Sequence, residues 1–136
     1  MKKLLFVLLY GCICCFLLGC KSDNGAKVFR DLNARDVSSF TVTLLPPAAE
    51  FTTDDETSIS ELVDILREIT LLESDDSYRD YNGQWVEFQL KMNDGGVRTI
   101  AAYNPFIIID GVGYQTEYAP CEKLNAFGNA LYDSLS

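Results

Sequence analysis

Carboxylates, one isolated thiol and a group of aromatic rings are the side chains of this 136-residue chain that have chemistry to offer, and histidine is missing altogether. Without imidazole neither a Ser-His-Asp relay nor a Cys-His pair can be assembled, and the usual imidazole sites for zinc or copper have no ligands. The chain holds no G-x-S-x-G, S-x-x-K or G-x-x-x-x-G-K-[ST] segment, so serine-hydrolase, Ser-Lys and phosphate-loop chemistry lack their minimum parts. No catalytic residue, metal-ligand set or cofactor is expected. Cys121 is the only cysteine beyond residue 20. A helix N-terminus would acidify its thiol, but with no Cys-x-x-Cys partner and no histidine it reads as a small buried apolar residue.

Carboxylates number 20, and a single pair suffices for a glycosidase-type mechanism. Abundance is not placement. Glu73, Asp75, Asp76 and Asp80 fall in one segment that invites a calcium reading, yet their spacing departs from the D-x-[DN]-x-[DN]-G-x₅-E loop. A solvated acidic loop or edge strand fits the segment better. The aromatics give the most positive hint: Tyr78, Tyr81, Trp85, Tyr103, Tyr114 and Tyr118 all lie in or beside one run of strands. Tyr81, Trp85, Tyr103, Tyr114 and Tyr118 are the candidate binding residues, since exposed rings suit stacking on a sugar or gripping a peptide or protein at low entropic cost. The alternative is that Trp85 starts its strand, where twist or the neighbouring loop covers it, and that the tyrosines are half-buried sheet residues with wet hydroxyls.

The elements that must position these rings follow from periodicity. Phe40, Val42 and Leu44 alternate with threonines and are stopped by Pro46-Pro47, which predicts a first strand. Ile59, Leu62, Val63, Leu66 and Ile69 share one face of a helix predicted over 57–69, with Ser58-x-x-Glu61 as its capping box. Residues 84–92, 97–103, 106–109 and 112–118 read as four further strands, with Val86, Phe88, Leu90 and Met92 facing a core and Trp85 on the opposite parity. Asn82-Gly83, Asp94-Gly95 and Asp110-Gly111 are two-residue hairpin signals. The unbroken run Phe106-Ile107-Ile108-Ile109 marks a strand covered on both faces or centrally placed. A final helix has Pro120 in its first turn, a stripe of Leu124, Phe127 and Leu131, and Gly128 as a mild weakness. The fold class is α+β, an antiparallel meander of about five strands with two helices packed on one face.

Address is written at the N-terminus. Lys2 and Lys3 precede an uncharged run, Leu4 to Leu18, the shape of an export signal. As a helix it would reach only about 22 Å, short of the roughly 30 Å of hydrocarbon that a permanent span crosses. The run closes on Leu17-Leu18-Gly19-Cys20, which resembles the lipobox of bacterial lipoproteins. That resemblance implies cleavage before Cys20 and diacylglyceryl attachment to its sulfur, two acyl chains being enough for stable anchoring. Ordinary secretion, with cleavage at a nearby small residue and an unmodified cysteine, is the alternative. Residues 1–19 are then the signal peptide, 20–36 the lipidated cysteine and tether, and 37–136 one domain, with 27–36 open between a short helix and part of the tether. The later stretches YNGQWVEFQL, AYNPFIIIDGVGYQTEY and PCEKLN resemble small uncharacterised lipoproteins of Gram-positive anaerobes, a likeness that implies no activity.

Loss of Lys2 and Lys3 leaves nine basic residues against 20 acidic ones, a formal charge of −11. Such a surface argues against nucleic acid or an anionic lipid surface as partner, because both need Lys and Arg to neutralise phosphate. With one thiol remaining, the domain has no internal disulfide and must stand on its core. The expectation is a lipid-anchored protein on the extracytoplasmic face of the cell membrane, a binding or interaction module for protein, peptide or glycan and not an enzyme. A passive envelope or inhibitor-like domain and a carboxylate-dependent hydrolase are the alternatives.

Overall fold

A computed structural model describes residues 25–135. The signal sequence and Cys20 lie outside the described residues. Seven strands form one antiparallel sheet: β1 (Val37–Leu45), β2 (Ala49–Thr53), β3 (Leu71–Ser74), β4 (Trp85–Met92), β5 (Val97–Tyr103), β6 (Phe106–Ile109) and β7 (Val112–Thr116), in the order β2-β1-β4-β5-β6-β7-β3. Two helices, α1 (Glu56–Glu68) and α2 (Tyr118–Leu135), complete an α+β architecture.

The five expected strands are present, and the two extra ones, β2 and β3, are short and occupy the two sheet edges. β2 alternates, but over Ala49 and Phe51 alone, and β3 opens on two consecutive leucines, so neither is long enough to stand out in the sequence. β2 reverses out of the Pro46-Pro47 turn and pairs Val42 with Phe51, and β3 pairs Leu71 with Thr116. The stretch 27–36 belongs to the fold. Ala26 exchanges both backbone hydrogen bonds with Leu71 at 2.8 Å, Phe29 is buried, and Ala34–Asp36 is a 3₁₀ turn capped by Asn33. Ordered chain therefore begins well before the expected domain start at Val37.

Side-chain parity assigns the core to one face of the sheet. Phe40, Val42, Leu44, Val86, Phe88, Leu90, Ile100, Ala102, Ile107 and Ile109 meet Ile59, Leu62, Val63 and Leu66 of α1 and Cys121, Leu124 and Phe127 of α2 in one buried cluster. Phe127 stacks on Phe88 at 6.0 Å and tilts against Phe40 at 6.3 Å. The cap of α1 differs from the expected box: Asp55 is the N-cap, and both the Ser58 backbone N–H (2.8 Å) and the Ser58 hydroxyl (2.9 Å) bond its Oδ2. Those bonds hold the Asp55 carboxyl below its usual range. Of the three hairpin signals, only Asp110-Gly111 has both residues at positive φ, 49° and 87°. Asp94-Gly95 sits in a four-residue loop in which Gly95 alone is left-handed, and Asn82-Gly83 lies in the approach to β4 instead of a hairpin.

Cys121 is fully buried, its Sγ 3.4 Å from the Phe106 carbonyl. Burial pushes the thiol up to about 12, and the nearby Glu122 carboxylate adds to the shift, so any acidifying influence of the helix start is overruled. The native protein is therefore expected to leave Cys121 unmodified by a thiol reagent at pH 8, with full labelling appearing only in denaturant. Rapid labelling of the native thiol would contradict this packing.

Candidate functional site

On the sheet face away from the helices, parity places half-buried Thr41, Thr43 and Thr99 with exposed Gln89 and Lys91, and this half is polar. The other half is covered. Residues 75–84 cross over it, with a 3₁₀ turn at Ser77–Asp80, and bury a second, smaller cluster of Ala101, Phe106 and Ile108 against Tyr78, Trp85 and Tyr103. The run 106–109 is therefore buried on both faces, as its unbroken apolarity requires.

This loop is fastened by two of the acidic residues. The Asp75 N–H donates to the Gly113 carbonyl at 2.9 Å, Gly113 N–H donates to Asp76 Oδ1 at 3.0 Å, and the Gln115 amide donates to Asp75 Oδ2 at 2.8 Å. Ser77 N–H closes an Asx turn on Asp75 Oδ1 at 2.9 Å. Thus Asp75 and Asp76 dock a loop across some 40 residues of sequence, while Glu73 lies exposed on the edge strand β3 and Asp80 is exposed in the loop. Among the described residues no three acidic, cysteine or histidine groups converge on a metal position. The Ser77 hydroxyl and then the Gln115 amide hold the Asp75 carboxyl below its ordinary range. A depressed folded-state value means that Asp75 supports the fold above the unfolded carboxylate value and loses that support as pH falls through the folded one. Acidification below about pH 4 is expected to loosen the loop and shift Trp85 fluorescence, and Asp75→Asn to flatten that response. An unchanged acid profile in the variant would remove Asp75 from the role.

Three of the five candidate rings are brought together. Trp85 is half-buried between Tyr78 (5.9 Å) and Tyr103 (5.8 Å), and its indole N–H donates to Glu87 Oε2 at 3.2 Å. The Tyr103 hydroxyl donates to the Tyr81 carbonyl at 2.6 Å, and the Tyr81 ring, 59% exposed, lies 5.5 Å from Phe106. Covering by the loop makes Trp85 and Tyr103 a packed platform, leaving Tyr81 as the ring that meets solvent. Tyr114 and Tyr118 fall elsewhere. Tyr114 is paired with Ile107 on the helix-side face and packs against the main core, and Tyr118 is exposed at the start of α2, its carbonyl accepting from the Asn104 amide at 3.2 Å.

Beside Tyr81 opens a groove of about 330 Å³ between the loop and the β3 edge, with Leu72, Pro105 and Phe106 as apolar wall and Asp75, Ser77 and Gln115 as polar rim. Leu72, 46% exposed, and Phe106 escape sequence reasoning because they gain this role only when β3 pairs with β7. A second unforeseen feature is an amide lock at the same end of the sheet. Gln84 donates to the Pro46 carbonyl and to Asn129 Oδ1, both at 2.9 Å, and accepts from Asn129 at 2.9 Å. It ties the β1–β2 turn, the start of β4 and α2 into one rigid support. Chemically the groove offers apolar contact and neutral hydrogen bonding, with one carboxylate already committed to the loop. Comparisons of the chain with protein-family models, with curated proteins and with solved structures return no match.

Proposed function

We propose that this protein is an exported lipoprotein, anchored through Cys20 on the extracytoplasmic face of the membrane, and that it works there as a binding module and not as a catalyst. The supporting observation is the groove beside Tyr81: an exposed ring and Leu72 backed by the locked Tyr78–Trp85–Tyr103 platform, with a polar rim that lacks a second carboxylate. Rigid aromatic contact area of this kind serves recognition, and acid–base turnover needs two opposed carboxyl groups that the groove does not hold. Glycans, peptides, protein segments and phospholipid headgroups are the ligand classes whose chemistry fits.

The test is the melting temperature of the purified protein against oligosaccharides, peptides, cell-wall fragments and short-chain phospholipids. A ligand at about a hundred times its dissociation constant adds roughly 2.7 kcal/mol, a rise of several degrees in a domain of this size. The reading predicts such a rise for at least one class, abolished by Tyr81→Ala. A rise that survives Tyr81→Ala, or none from any class, contradicts it.

A further inference from the structure

We infer that the partner of the Tyr81 groove is the phospholipid interface of the membrane that anchors the chain. The inference rests on the anchoring proposed above and adds the partner. Only six residue steps separate Cys20 from Ala26, where the chain is already hydrogen-bonded to Leu71. Six steps of polypeptide reach at most about 20 Å. A domain of about 110 residues has a radius of gyration near 13 Å, so this link is shorter than the domain is broad. The end of the sheet where the chain arrives is thereby held close to the bilayer.

That end is the one that carries the groove. Gly25 abuts Leu72, a Cβ on it falling 2.8 Å from Leu72 Cδ2, and Leu72 lines the groove with Tyr81, Pro105 and Phe106. Exposed Tyr118 follows within two residues of Thr116, the strand partner of Leu71, and exposed Leu45 pairs with Trp85 at the same end of β4. Three of the large exposed apolar side chains, Leu72, Tyr81 and Tyr118, thus gather where the chain arrives, whereas Leu45 shares that end of the sheet but lies five strands away on β1. At the far end of the strands, exposed Val97 and Val112 flank the polar Asp94-Gly95 and Asp110-Gly111 turns, and neither exposed tyrosine lies there. Tyrosine suits the depth of the headgroups, its ring in the apolar boundary and its hydroxyl in water.

The charge fixes the character of the contact. Exposed Glu73, Asp80, Glu117 and Glu122 surround this end against Lys27, Arg79 and Lys123, so the rings meet lipid without electrostatic attraction. Contact is favoured on zwitterionic bilayers and weakened on anionic ones at low salt, a difference that screening removes.

The experiment uses the full chain, produced in a bacterial host, purified with its anchor and reconstituted into phosphatidylcholine vesicles. Asn82→Cys, beside Tyr81 but outside the groove, and Val97→Cys, at the distal end of β5, each receive a polarity-sensitive fluorophore; buried Cys121 does not compete for label. Headgroup-level spin-labelled phospholipid is expected to quench residue 82 several-fold more than residue 97. Leu72→Ser with Tyr81→Ser should erase most of that difference, and replacing half the lipid with phosphatidylglycerol should reduce it at low salt only. Equal quenching at both positions, or quenching at 82 that the double substitution leaves intact, overturns the inference while anchoring stands. Failure of the protein to float with vesicles overturns the anchoring and the inference together, and saturation of the groove by a glycan or peptide in the melting assay keeps the binding module and overturns the lipid partner.

Discussion

Gly128→Val is expected to lower stability by about 3 kcal/mol or more and the melting temperature by about 10 °C or more. Gly128 lies on the face of α2 that meets the sheet. A Cβ there would stand 2.5 Å from Val86 Cγ1 and 3.3 Å from Phe88 Cζ, both on fully buried side chains. Sequence reasoning points the other way, since replacing an interior helical glycine with alanine gains about 1 kcal/mol of helix propensity. Overlap with the buried Val86 side chain, beside a tight contact to Phe88, is the larger effect, worth about 1–3 kcal/mol in a well-packed core, so Gly128→Ala should also destabilise, by roughly 1 kcal/mol net. Thermal denaturation of the two variants decides it. A stabilised Gly128→Ala protein would mean that α2 does not approach the sheet this closely.

Gly113→Val should produce the second large effect, and a different signature. Its Cβ would stand 2.5 Å from the Asp75 carbonyl oxygen and 2.7 Å from the Tyr78 ring, so the loop 75–84 cannot stay docked. Undocking breaks the Asp75 and Asp76 hydrogen bonds and uncovers Phe106 and Ile108, a loss of about 3 kcal/mol from overpacking and hydrogen bonding together. The helices and the main core lie on the opposite face. Far-UV circular dichroism should therefore persist while Trp85 emission moves to the red and the melting temperature falls by about 10 °C. Retention of native Trp85 emission would contradict the loop's role as its cover.

Much of the architecture is legible in the sequence because it is carried by strong periodicity. The alternation of 86–92, the helical stripe 59–66 and the unbroken run 106–109 each state which faces are buried, and the structure agrees with all three. The edge strands escape because they are too short for a pattern to register. Ala49–Thr53 and Leu71–Ser74 are strands only because β1 and β7 offer them hydrogen-bonding partners. The site is less legible for the same reason. Proximity of Trp85 and Tyr103 could be read from their shared sheet end and parity, but Tyr78 joins them only through the docking of residue 75 on residue 113, a long-range hydrogen-bond choice that no local pattern records. Likewise Gly128 reads as a weakness in isolation and as a fitting requirement once the sheet is beside it.

Anchoring through Cys20 is the claim on which address, orientation and partner all depend. The most direct measurement is the intact mass of the protein extracted from the membranes of a bacterium expressing the full chain, compared with Cys20→Ala. The account predicts a polypeptide beginning at Cys20 and heavier than its sequence by a diacylglyceryl group, and a Cys20→Ala protein that no longer carries lipid or stays with the membrane as a mature chain. A chain cut elsewhere, with an unmodified Cys20 and equal partition of the two proteins into the soluble fraction, would contradict it.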